Sequence, residues 1–190
     1  MKRSHVNTGI RKILENLGIF NFFNHQILGT NKYLVKFCDR YFNYLGSIKM
    51  LDIGCGTADI LTYLNLEIDY VGFDMQEEYI EHAKSKFSDR GKFFTQIVDG
   101  TLLPEWINKF DVILAHGLLH HLINQDCDVL LKSSNEYLKE DGFMITVDST
   151  YFEGQSKLAK WLVSKDRGQN VRRPEDYKEL ASKYYPYVDG

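Results

Sequence analysis

Short apolar runs alternate along this chain with stretches in which apolar residues recur every three or four positions. The runs cover residues 48–53, 68–74, 93–98, 110–115 and 143–147. They are nearly continuous in apolar residues, as strands buried on both faces of a parallel sheet are. After the first run, Ile60, Leu61 and Leu64 predict a helix. Tyr79, Ile80, Ala83 and Phe87 share one helical face within residues 76–87, and Val129, Leu130, Tyr137 and Leu138 do so ahead of Asp141-Gly142. Strand and helix in strict alternation predict an α/β fold, a doubly wound sheet.

The flanks read as helical. Ile10, Ile13, Leu14 and Leu17 end at Gly18, while Leu34, Phe37, Tyr41 and Tyr44 end at Gly46. Phe20, Phe22 and Phe23 crowd the connection between them and are expected to dock these helices on the sheet. Residues 1–47 are therefore expected to form an N-terminal helical cap belonging to the same domain as the 48–190 core. Beyond Phe152, Leu158, Ala159, Leu162 and Val163 make one stripe. Pro174 opens another helix with Tyr177, Leu180, Ala181 and Tyr184, and Tyr187-Val188 predict the start of a further strand.

The chemistry-bearing residues fall at the carboxyl ends of the strands, where open α/β sheets bind ligands. The first strand runs into Asp52-Ile53-Gly54-Cys55-Gly56-Thr57-Ala58. A dinucleotide fingerprint would need a glycine or alanine at position 59, where this chain has Asp59, a poor neighbour for a pyrophosphate. Asp74 closes the second strand, one βαβ unit further on, where a carboxylate reaches ribose hydroxyls. Asp99-Gly100, His116 to His121 and Asp148 close the third, fourth and fifth strands.

Bulk properties narrow the classes. The chain has 190 residues and a net charge of -3, enough for one full core and too little charge bias for a nucleic-acid or membrane partner. No apolar run approaches the roughly 20 residues of a bilayer span. The Met-Lys-Arg-Ser-His-Val-Asn start lacks an apolar signal core, and Cys38, Cys55 and Cys127 suit reduced thiols. Together they predict a cytoplasmic protein.

From Ile48 to Asp148 the order of motifs resembles a small-molecule class I S-adenosylmethionine (SAM) methyltransferase, whose first motif reads acid-x-Gly-x-Gly-x-Gly. The resemblance implies SAM as cofactor. Asp52 would anchor the methionine ammonium, and Gly54 and Gly56 would let the methionine end approach the backbone. Asp74 would hold the ribose hydroxyls and Met75 would lie against adenine. Asp99 would accept from the exocyclic amine, the Gly100 amide would meet a ring nitrogen, and the Ala115–His116 backbone would line the methionine end. Residues 155–159 and 166–172 resemble a bacterial subgroup without an assigned substrate. Two departures stand out. Ala58 replaces a glycine, and the sixth and seventh strands of the family's sheet are missing from residues 148–190, as in a C-terminally truncated chain.

For an acceptor that must lose a proton, His120 and His121 are candidate bases, with Asp148 next. The competing reading has one histidine packed and the other in solvent. A zinc site at His116, His120 and Cys127 lacks an acidic partner pattern, so no metal is expected. Lys157, Lys160, Lys165, Arg167, Arg172 and Arg173 outnumber Asp166 in the tail. Arg167, Arg172 and Arg173 offer forked donors to an anionic acceptor, Tyr151 could wall its pocket, and a solvated helix face is the plainer alternative. The expected function is SAM-dependent methyl transfer to a small-molecule or saccharide-like acceptor, at oxygen. The alternatives are a catalytically silent SAM-fold binding protein and a nicotinamide oxidoreductase.

Overall fold

The computed structural model of the chain describes residues 30–65, 67–97, 99–101, 103–165 and 169–190. The chain divides into two compact units, Met1–Leu45 and Gly46–Gly190. In the first, α1 (Thr30–Tyr41) buries Leu34, Phe37 and Cys38. Its stripe ends differently from expectation. Phe42 is fully buried and edge-on to Phe37, whereas Tyr44 faces solvent. The expected helix and aromatic cluster at residues 10–23 lie outside the described residues.

The second unit holds a five-stranded parallel sheet in the order β3-β2-β1-β4-β5. The strands are β1 (Lys49–Ile53), β2 (Asp69–Asp74), β3 (Gly91–Thr95), β4 (Phe110–His116) and β5 (Leu138–Val147). The order reverses direction between β1 and β4, which opens the crevice typical of such sheets at their carboxyl ends. Between strands lie α2 (Glu77–Phe87) and α3 (Asn124–Tyr137), and α4 (Lys157–Lys165) and α5 (Pro174–Ser182) follow β5. Leu51, Ile53, Phe73, Ile113 and Ala115 form one core with Leu130, Leu131 and Tyr137 of α3 and Leu180 of α5. Strand alternation sends Asp52 and Tyr70 to the opposite face.

Several boundaries differ from the sequence expectation for physical reasons. The expected helix after β1 is only a 3-10 turn, Asp59–Thr62. Arg90 Nη2 donates to the carbonyls of Leu64 and Asn65 at 3.0 and 3.2 Å, so those acceptors are satisfied without a further turn. β3 starts at Gly91, which pairs with Tyr70, rather than at Phe93, and glycine is needed there because a Cβ would sit 2.8 Å from the Tyr70 ring. β5 begins at Leu138, and an irregularity opposite Phe110/Val112 absorbs Lys139 to Gly142. Residues 183–190 form no strand, and Tyr187 is exposed. On α4, Leu158 of the expected stripe is exposed, as is Trp161. No helix among the described residues is long and apolar enough to cross a membrane.

Candidate functional site

The loop after β1 is built by backbone geometry. Gly54, Gly56 and Ala58 all have positive φ, at 74, 54 and 55°. Ala58 therefore takes the left-handed conformation of the glycine it replaces, with its methyl fully buried. Gly54 N and Cys55 N both donate to Phe73 O, at 2.8 and 3.0 Å, so the turn is tied to the end of β2. A Cβ on Gly54 would press on Leu118 at 3.2 Å, while one on Gly56 would meet nothing within 4 Å.

Asp52 is buried at 3% exposure, and its Oδ2 accepts a 2.6 Å hydrogen bond from Tyr70 Oη. Gly72, opposite Asp52 on β2, makes that contact possible, since a Cβ there would come within 2.9 Å of both the Tyr70 ring and Cys55 Sγ. Burial pushes the Asp52 carboxyl up to about 7; the Tyr70 bond opposes the shift and the Asp74 charge adds to it. Asp52 Oδ1 is buried with no hydrogen-bond partner among the described residues. A buried acceptor without a donor is costly, and a cationic ligand group would satisfy it.

Asp74 works in two directions. Its Oδ2 accepts from Gly56 N at 3.1 Å and its Oδ1 from Gln76 N at 2.8 Å. Each oxygen keeps a second lone pair for a hydroxyl. Burial raises its carboxyl pKa, against those amide bonds. Beside it opens a cleft of about 470 Å³ lined by Met75, Thr95, Gln96, Ile97, Asp99, Thr101 and Leu103, within the usual size range of small-ligand sites. Asp99 is exposed, and bonds from Thr101 hold its carboxyl below the usual value. Gly100 has φ 90°, and Leu103 N donates to Tyr137 Oη at 3.1 Å, which ties the cleft wall to the core.

At the ends of β4 and β5 the candidate bases separate. His116 is the last residue of β4, and burial holds its imidazole below the usual pKa. His120 Nδ1 and Asp148 Oδ1 lie 2.7 Å apart with side chains 5% and 4% exposed, and the His120 amide donates to the same oxygen at 3.1 Å. Asp148 Oδ2 is buried without a hydrogen-bond partner among the described residues. His121 is exposed, its ring 4.2 Å from that of His120. Sequence reasoning offered these three as alternatives; the structure joins two of them into a pair and leaves the third at its rim.

The tail candidates fare differently. Arg167 lies outside the described residues. Arg173 is exposed at the start of α5, where its amide donates to Asp176 Oδ2 at 3.2 Å. Tyr151 is half-buried, with its amide on Arg172 O at 3.3 Å. Arg172 corrects the expectation of an acceptor-binding fork. All five of its N–H donors go to Asn124 Oδ1 and the carbonyls of Leu119, Leu122 and Asn170. None is left for a substrate.

Sequence reasoning missed Tyr70, Leu118 and the true partners of Arg172. Gly72 was the available signal for Tyr70, because a glycine beside an acid-bearing strand marks room for a ring; Leu118 and Arg172 carried none. The residues present fit SAM. Asp52 Oδ1 is a buried acceptor that a cation would satisfy, the backbone at Gly56 is open, and Met75 and Asp99 line the cleft next to Asp74.

Comparison with known proteins finds methyltransferases of the same fold. Residues 51–144 match the sequence model of a family described as "Methyltransferase domain". Ubiquinone biosynthesis O-methyltransferase of Pelagibacter ubique is 29% identical over 150 residues, covering 73% of this chain and 61% of that protein, so the chain spans less than two thirds of its relative. Two solved structures share the fold. The mitomycin 7-O-methyltransferase MmcR has a TM-score of 0.68 at 16% identity, covering 93% of this chain and 54% of that one. A TehB-like SAM-dependent methyltransferase from Corynebacterium glutamicum has a TM-score of 0.58 at 20% identity, covering 83% and 81%.

Proposed function

We propose that the chain acts as a class I SAM-dependent methyltransferase and methylates a hydroxyl of a small-molecule acceptor. The observation that carries the oxygen assignment is the buried pair His120 and Asp148, 2.7 Å apart at the carboxyl ends of β4 and β5. A nitrogen or sulfur nucleophile can attack with its own lone pair, whereas a hydroxyl gains most from a base. The relative from Pelagibacter ubique is itself named an O-methyltransferase.

When bound, SAM supplies an electrophilic methyl group on a sulfonium, open to in-line displacement. Asp52 would hold the ammonium, Asp74 the ribose hydroxyls, and Met75 with Asp99 the adenine. Asp148 accepts from His120 Nδ1–H, which fixes the tautomer that leaves Nε2 as the basic nitrogen. Nε2 would take the proton that the acceptor hydroxyl gives up, and the Asp148 carboxylate would stabilise the imidazolium so formed. Alignment of acceptor and methyl group supplies most of the remaining rate.

The test is methyl transfer from methyl-labelled SAM to small-molecule extracts, with the product carbon assigned by NMR. A methoxy product is expected, and His120→Asn should lower kcat by about 10²-fold or more with SAM affinity retained. A methylated carbon or nitrogen, or an unchanged rate in H120N, overturns the oxygen assignment.

A further inference from the structure

The guanidinium of Arg172 bonds to the loop that carries His120. Nη1 donates to Leu119 O at 2.9 Å and Nη2 to Leu122 O at 2.7 Å, the two carbonyls that bracket His120 and His121. Nε and Nη2 share Asn124 Oδ1 at the first residue of α3, at 2.9 and 2.8 Å. The remaining donor goes to Asn170 O, and the Asn170 amide returns to His120 O at 2.9 Å. The turn carrying the histidines, Leu119–His121, has no side-chain cap of its own. Side chains from outside the turn bond its backbone instead: this fork at its carbonyls, and Asp148 at the His120 amide.

The backbone of the same residue holds the other half of the pair. Arg172 O accepts from Thr150 Oγ1 at 2.9 Å, and Arg172 bridges Thr150 in a parallel sense two residues after Asp148. Tyr177 Oη donates to Ser149 O at 3.1 Å, and its ring lies 5.6 Å from the guanidinium. Side chain to β4 loop and main chain to β5 end, one residue spans both members of the pair.

We propose that Arg172 is the positioning residue of the His120–Asp148 pair, setting the imidazole against the carboxylate without touching the acceptor. Its importance for catalysis rests on the reading of that pair as the base. Only arginine suits the task, because five donors in a rigid plane must diverge to four acceptor atoms on two chain segments, residues 119–124 and Asn170. A lysine ammonium offers three donors from one point.

The experiment uses the full chain as wild type, Arg172→Lys and Arg172→Ala. Nitrogen-15 histidine NMR reads the tautomer of His120, assigned with His120→Asn. Wild type should show proton occupancy at Nδ1, and both variants should show mixed tautomers with a displaced titration midpoint. SAM affinity by calorimetry should stay within about twofold, since Asp52, Gly56 and Asp74 share no partner with the fork. On an acceptor that is turned over, kcat should fall about 10²-fold, as for a misplaced catalytic group, with KM for SAM unchanged. An unaltered His120 tautomer in the variants overturns the proposal. So does full restoration by lysine, which would leave charge as the only requirement, and so does failure of both variants to fold, which would make Arg172 a stability residue alone. Activity in H120N would remove the base reading, while the NMR result would still decide on Arg172.

Discussion

As the proposed partner of the SAM ammonium, Asp52 would serve binding at the expense of stability. Its carboxyl ionises near the ordinary 3.8 in the unfolded chain and near 7 in the folded one. Between those values the unfolded state has released a proton that the folded state keeps, so stability declines as pH rises from about 4 to about 7 and is level above, by roughly 4 kcal/mol in all. The ligand ammonium needs the ionised form. From pH 7 to pH 5.5 the α-amino group of SAM stays protonated, and the fraction of Asp52 ionised sets the apparent affinity, which should weaken roughly tenfold. Asp52→Asn should abolish that pH dependence, bind SAM more weakly, and unfold at higher urea than wild type at pH 8. Calorimetry across pH with urea titrations at pH 4 and pH 8 checks all three. A wild-type affinity flat between pH 5.5 and 7 would show that Asp52 is not the ammonium partner.

At the scale of elements, the site is a loop from one strand held by a side chain from the next. Asp74 at the end of β2 accepts the Gly56 amide of the β1 loop, and Phe73 O accepts those of Gly54 and Cys55. Asp74→Ala therefore removes both the proposed ribose partner and a loop anchor. SAM affinity should fall by more than about 1 kcal/mol, and the Gly56 amide should exchange faster with solvent; unchanged exchange would separate the two roles. Gly54, Gly56 and Asp74 were legible in the sequence because strand ends and turn chemistry are local signals. The 3-10 turn after β1 was not, since it is settled by Arg90 reaching Leu64 O from beyond α2. Nor were Tyr70 as the partner of Asp52, which requires the β1–β2 register, or Arg172 as a hub, whose partners lie up to 53 residues away. A cation in a tail reads as a surface charge until the fold supplies its carbonyls.

Across the Gly46–Gly190 unit, the segment after β5 closes the core rather than merely trailing from it. Leu180 of α5 is 5% exposed within the cluster that includes Leu130 and Leu131 of α3. Tyr184 O accepts from Asn135 at 2.6 Å, Tyr185 Oη reaches Met144 Sδ at 3.2 Å, and Lys183 meets Asp128 at 3.0 Å. The exposed ion pair contributes little, and burial of Leu180 and the tyrosines carries the docking. This helix also follows directly on Arg172, so its seat on α3 fixes where the guanidinium fork stands. Loss of the seat should therefore reach the His120 turn before it reaches the glycine loop. Leu180→Ala should cost about 2–4 kcal/mol in urea unfolding, a large share of the 5–15 kcal/mol typical of a domain. Well below the unfolding midpoint SAM affinity should hold, because α5 packs chiefly on α3 and bonds neither Asp52 nor Asp74, while methyl transfer per folded molecule should drop. Denaturation curves paired with calorimetry and turnover at one low urea concentration measure the split, and equal losses of binding and turnover would mean that the sheet behaves as one rigid piece from β3 to β5.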